Sequence, residues 1–173
     1  LTKIEELEER LDKLPRGGSD PNEPSEEGNL IRWFWVQLHW TPEEAAEYDA
    51  NHERMAAIVS ERGHGPNGEP GGPYLSAEDN REYMRLSARC TQLAHDIQGK
   101  RVIANDAMRD RVWPDLAPRV LRYSTLQGKT AGELAENDKE ELGDLEAWFE
   151  KLRREAIETA EKELAKTSQA SEQ

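Results

Sequence analysis

Apolar positions return along most of this chain at the three-and-four spacing of an α-helix. Ile4, Leu7, Leu11 and Leu14 form a short heptad-like seam over residues 2–14. Thr2 and Glu5 suit a capping box at its start, and Pro15 ends it. Two heptads alone are marginal in water, so this helix calls for a partner. Residues 15–29, PRGGSDPNEPSEEGN, carry no apolar pattern and read as a flexible linker. The segment IRWFWVQLHW follows, from Ile31 to Trp40. Its strand propensity is high, but Trp33, Phe34, Trp35 and Val36 break the alternation. Ile31, Phe34, Trp35 and Leu38 share one helical face, and a short helix is expected.

Thr41, Pro42 and Glu44 then mark a capped helix start, with Tyr48, His52, Met55 and Val59 on one face up to about Arg62. Residues 63–75, with five glycines and three prolines, predict a loop. Ser76 and Asp79 restart a helix whose apolar face is Tyr83, Leu86, Cys90, Leu93 and Ile97. Gly99 is a candidate kink or stop. Ala104, Met108 and Val112 continue a helical register, and Pro114 and Pro118 are expected to break it. Residues 119–129 fit no pattern cleanly. From about Asp138 to Lys166 runs the longest predicted helix, with Leu142, Leu145, Phe149, Leu152, Ala156 and Ala160 in one stripe.

The pattern predicts an all-α fold: an irregular helical bundle over 30–166, a long C-terminal amphipathic helix, an N-terminal helix (1–14) on the 15–29 tether, and a disordered tail at 167–173. Composition agrees: 35% hydrophobic against 34% charged residues suits exposed helices better than a compact α/β enzyme. No apolar run is long enough to span a bilayer. The acidic, amphipathic start is unlike a secretory signal, and the single cysteine, Cys90, leaves no internal disulfide. A cytoplasmic location is the expectation.

A net charge of −13 disfavours nucleic acid and anionic lipid as partners. The charge is uneven, however. Residues 76–129 carry ten basic and seven acidic side chains, whereas 130–173 carry six and thirteen. The stripe Arg81, Arg85, Arg89 lies in that basic middle, interleaved with acids and without the aromatics of a base-stacking platform. A solvated helix face accounts for it.

Three of the five tryptophans, Trp33, Trp35 and Trp40, fall in one decapeptide. Such a cluster serves either as a core or as an interface anchor. The expected interface set is therefore Ile4, Leu7, Leu11, Trp33, Trp35 and Trp40, engaging a protein partner or a second copy.

Two fragments resemble enzyme motifs. LAHDIQGK, Leu93–Lys100, looks like the His-Asp dyad of the HD-domain phosphohydrolases, which are all-helical and bind divalent metal; here Gln98 interrupts the usual continuation. His52, His95 and Asp96 are what this resemblance would require to converge. GELAENDKEELGDLEAWF, Gly132–Phe149, is similar to the ELGD motif of the all-α nucleotide pyrophosphohydrolases. That resemblance implies a magnesium site with Glu141 and Asp144 as one half and Glu43, Glu44 and Glu47 as the other, although the family places its halves closer together. Carboxylates at i, i+3 do share a helix face and can chelate a hard cation.

No P-loop, dinucleotide fingerprint, HExxH or nucleophile elbow is present. The expected function is thus a non-enzymatic helical scaffold, adaptor or assembly protein without a cofactor, for which a phage or other mobile element is one plausible setting. The alternatives are a magnesium-dependent all-α nucleotide phosphohydrolase or pyrophosphohydrolase, and an acidic inhibitor or immunity protein bound to a basic partner.

Overall fold

The computed structural model describes residues 21, 22 and 25–171; the seam of Ile4, Leu7 and Leu11 lies outside them. The described residues are helical, as the apolar spacing predicts, and contain isolated β-bridges but no strand. The helices are α1 (Glu26–Gln37), α2 (Pro42–Arg62), α3 (Ala77–Thr91), a π-helical segment (Gln92–Gly99), α4 (Lys100–Ala104), α5 (Asp106–Gln127) and α6 (Glu136–Ser171). They build two compact units. Residues 21–39 and 102–171 form unit one; residues 40–101 form unit two. No helix of the described residues is long and apolar enough to cross a membrane.

In unit one the aromatic decapeptide is helical. Ser25 caps α1 by accepting the Gly28 amide at 2.9 Å, and Glu26 and Glu27 lie at the positive end of the helix dipole. The helix therefore starts inside the stretch expected to be linker. Ile31 and Trp35 are buried on α1, with Leu38 just beyond it. On α6, Leu145, Phe149, Leu152, Ala156 and Ala160 are buried, which is the predicted stripe. The helix continues to Ser171, through most of the expected disordered tail.

The prolines did not break α5, contrary to expectation. Trp113, Leu116, Ala117 and Val120 all bury on one side of it. Each proline removes one ladder bond, but the acceptors left open belong to Asp110 and Pro114, both exposed residues that water can satisfy. Burial of four apolar side chains outweighs that loss. Asn105–Ala156, Arg122–Glu141 and Lys129–Asp138 contacts run in opposite order along α5 and α6, so the two are antiparallel. One ring from each helix meets in the core: Phe34 lies 4.5 Å from Phe149 and 5.9 Å from Tyr123.

Unit two is a helical hairpin. Glu44–Arg101, Glu47–Arg89, Arg54–Glu82 and Arg62–Asp79 ion pairs also run in opposite order, which makes α2 antiparallel to α3 and its continuation. The core holds Met55, Ile58, Leu86 and Cys90, with Tyr48, Leu75 and Tyr83 packed against it. Trp40 donates its indole N–H to the Leu93 carbonyl at 2.9 Å. The expected seam step from Leu93 to Ile97 is replaced. Through the π segment, residues five apart align, and Gln98 rather than Ile97 is buried. Gly99 does not stop the helix; the break comes at Asn105, with φ −103° and ψ 19°.

The Gly/Pro loop between α2 and α3 folds on itself. His64 and Tyr74 exchange backbone hydrogen bonds at 2.9 Å, and Gly65 N–H reaches the Glu69 carbonyl at 2.7 Å. Gly68 and Gly71 take φ of +83° and +84°, a region that favours glycine.

Candidate functional site

The exposed side of α2 carries a groove of about 480 Å³ lined by His52, Met55, Ala56, Val59, Ser60 and Tyr83. Helical spacing produces it. Residues 52, 55, 56, 59 and 60 follow one another at three and four along a single face, and Tyr83 of α3 closes one side. Ile58 points into the unit and is fully buried, which rotates Val59 outward to 36% exposure. The residues that the spacing puts on one face differ in burial: Met55 is buried, whereas His52 and Val59 face solvent. An aromatic stack supports the groove from within. Trp40 lies 4.6 Å from Tyr48, and Tyr48 lies 4.4 Å from His52.

The charge around the groove is uneven. Arg54 and Arg62, on the α3 side, are taken up by Glu82 and Asp79 at 3.0 and 2.7 Å. Asp49 and Glu53 lie in the helical row that continues into Ala56 and Ser60, and both are exposed.

Of the tryptophans expected at an interface, only Trp33 offers surface. It is 58% exposed, on the side of α1 away from Ile31 and Trp35. Trp35 and Trp40 are interior, at 2% and 4%: Trp35 belongs to the core cluster of unit one, whereas Trp40 opens unit two and packs beside Tyr48. The reason is the turn after Gln37. It ends α1 and sends the next aromatic residue into the start of a new unit.

The carboxylates of the pyrophosphohydrolase-like pattern are mostly held by arginines. Arg101 reaches Glu44 at 2.7 Å, where Glu44 also completes the Thr41 capping box. Burial works to raise the Glu44 pKa. The Arg101 and Thr41 hydrogen bonds and the Arg101 charge outweigh it and hold the carboxyl below its ordinary range. Arg89 grips Glu47 with two hydrogen bonds, and that bonding lowers the Glu47 pKa as well. Arg122 likewise donates two hydrogen bonds to Glu141, at 2.7 and 2.8 Å. Glu43 and Asp144 are exposed. Glu43, Glu44 and Glu47 belong to unit two, whereas Glu141 and Asp144 belong to unit one.

His52, His95 and Asp96 are all exposed, His95 and Asp96 on the π segment. Among the described residues, no group of three or more His, Cys, Asp or Glu is placed to hold a metal ion. Of the arginine stripe, Arg89 is engaged by Glu47, while Arg81 and Arg85 are exposed. Cys90 is buried, and desolvation raises its thiol pKa, the reverse of an activated nucleophile.

One polar junction gave no sequence signal. His39 and Asn105 are closed off from solvent in unit one. His39 Nδ1 lies 2.8 Å from the Trp35 carbonyl, and Asn105 Nδ2 lies 2.9 Å from His39 Nε2 and 2.7 Å from the Ala156 carbonyl. An amide nitrogen only donates, so Nε2 accepts and Nδ1 carries the proton. The junction ties the end of α1 to α5 and α6. No family model, no curated protein and no solved structure matches this chain.

Proposed function

We propose that the protein is a non-enzymatic helical adaptor or assembly protein that acts through protein–protein contacts. The observation that carries this reading is that each unit holds apolar side chains facing solvent: the α2 groove with Val59 in unit two, and Trp33 on α1 in unit one. Tryptophan is enriched among the anchors of protein interfaces, and apolar grooves rimmed by polar residues mark binding surfaces. The arginine partners of Glu44, Glu47 and Glu141 support the reading further, because a cation would have to displace a guanidinium from each. The heptad spacing of Ile4, Leu7 and Leu11 adds a second contact element. A cytoplasmic setting, including that of a phage or other mobile element, suits such a protein.

The test joins light scattering with calorimetry. Full-length protein, a chain lacking residues 1–20, and Trp33→Ala are compared for mass at micromolar concentration and for recovery of specific partners. The adaptor reading expects a loss of mass or of partner in at least one variant. If nothing is lost, and magnesium instead binds stoichiometrically with hydrolysis of a nucleotide, the reading gives way to the phosphohydrolase alternative.

A further inference from the structure

We infer that the groove of unit two takes an amphipathic partner helix whose apolar ridge is flanked by Lys and Arg side chains. The inference rests on the adaptor reading and names the chemistry of the partner. Met55, Ala56 and Val59 supply the apolar floor, and Tyr83 a wall. An open apolar groove of this kind is what an amphipathic helix covers with its own apolar face. Ala56 and Ser60 are small, so a partner backbone can approach α2 closely on that side.

Charge sets the partner's sign. Helix α2 holds Glu43, Glu44, Glu47, Asp49, Glu53 and Glu61 against Arg54 and Arg62. Glu44 and Glu47 are neutralised by Arg101 and Arg89, and the two arginines of α2 by Glu82 and Asp79. Asp49 and Glu53 remain as the exposed carboxylates in the row leading to Ala56 and Ser60. A helix seated in the groove brings its flanking residues alongside them. Lys or Arg there gains attraction, and Glu or Asp meets repulsion. The chain's own segment 1–14, with five acidic and three basic side chains, is the poorer match.

The experiment titrates full-length protein with three peptides, followed by amide shifts and calorimetry: a Leu/Lys amphipathic helix, its Leu/Glu counterpart, and residues 1–14. The Leu/Lys helix is expected to shift the resonances of residues 52–60 and 83. Its affinity should fall by about tenfold or more in Val59→Glu or Ala56→Glu, and likewise in the Asp49→Lys, Glu53→Lys double variant. The binding should weaken as salt rises. Both single positions are exposed, and a thermal melt confirms that the variants fold. Shifts scattered over α6 that survive Val59→Glu would mean bulk charge attraction and overturn the proposal. Equal or tighter groove binding by the Leu/Glu helix or by residues 1–14 would overturn the basic chemistry yet leave the groove as a protein contact. Silence at the groove with all three peptides would remove the proposal together with the groove's part in the adaptor reading.

Discussion

The side-chain amide of Asn105 bridges His39 Nε2 and the Ala156 carbonyl, at 2.9 and 2.7 Å, inside a core closed to solvent. Asn105 is also the residue at which α4 stops and α5 begins. The helix break and the polar junction are therefore one feature. An asparagine ahead of a helix commonly caps it with its own side chain, but this one makes no such bond. Its amide is committed across the unit instead.

Replacing Asn105 with Ala removes the amide that donates to His39 Nε2 and to the Ala156 carbonyl. A buried polar atom stripped of its hydrogen bond costs about 1–3 kcal/mol. With the second bond and the lost packing, Asn105→Ala is expected to lower stability by about 2–4 kcal/mol. Urea unfolding followed by far-UV circular dichroism measures it. A change under about 0.5 kcal/mol, the scale of ordinary surface substitutions, would mean that the junction is not formed in solution.

Acid should loosen the ion-pair ladder of unit two. Hydrogen bonds from arginines hold Glu47 and Asp79 below their ordinary values, and they override burial at Glu44. Groups whose folded pKa is depressed contribute stability that is complete above the unfolded value and is lost as pH falls through the folded value. Stability is thus expected to hold flat above the ordinary Glu value of 4.5 and to decline below it. Glu44→Gln keeps an oxygen acceptor for the cap and removes one titrating group, so its acid limb should be shallower. Thermal melts from neutral pH into the acid range compare the two proteins; parallel curves would exclude Glu44 as a contributor.

The Gly/Pro loop separates two kinds of glycine. A Cβ on Gly72 would lie 2.2 Å from the His64 carbonyl oxygen, which is backbone and has no rotamer to escape into. A Cβ on Gly68 would meet nothing within 4 Å, but the residue sits at φ +83°. Gly68→Ala is therefore expected to cost about 1 kcal/mol through backbone strain alone. Gly72→Ala should cost more, about 2–3 kcal/mol, because the hairpin must open. Equal losses in denaturant unfolding would contradict the close packing.

Pro114 is exposed in the interior of α5 and leaves the Asp110 carbonyl without its helical donor. Pro114→Ala restores that bond. The helix gains up to about 3 kcal/mol from the exchange, offset by about 1 kcal/mol of greater unfolded-chain freedom. A net stabilisation of about 1–2 kcal/mol is expected from the chemical-denaturation midpoint. A loss of stability would show that α5 relies on the proline's fixed backbone angle.

The amino-acid pattern alone determined the all-α character, the Leu145–Ala160 stripe, the Thr41 capping box and the position of the Gly/Pro loop. Each is a local property, set by side-chain period and by hydrogen bonds between residues three or four apart. Tertiary structure decided the remainder. It carried α5 through two prolines, because burying Trp113, Leu116 and Val120 outweighs two missing ladder bonds. It placed Gln98 inside in place of Ile97, because a π turn shifts the face by one residue. It buried Trp35 in unit one and Trp40 in unit two, and it left Trp33 and Val59 at the surface. Apolar spacing records which side chains share a face of one helix; which faces are then covered depends on contacts between residues far apart in the chain.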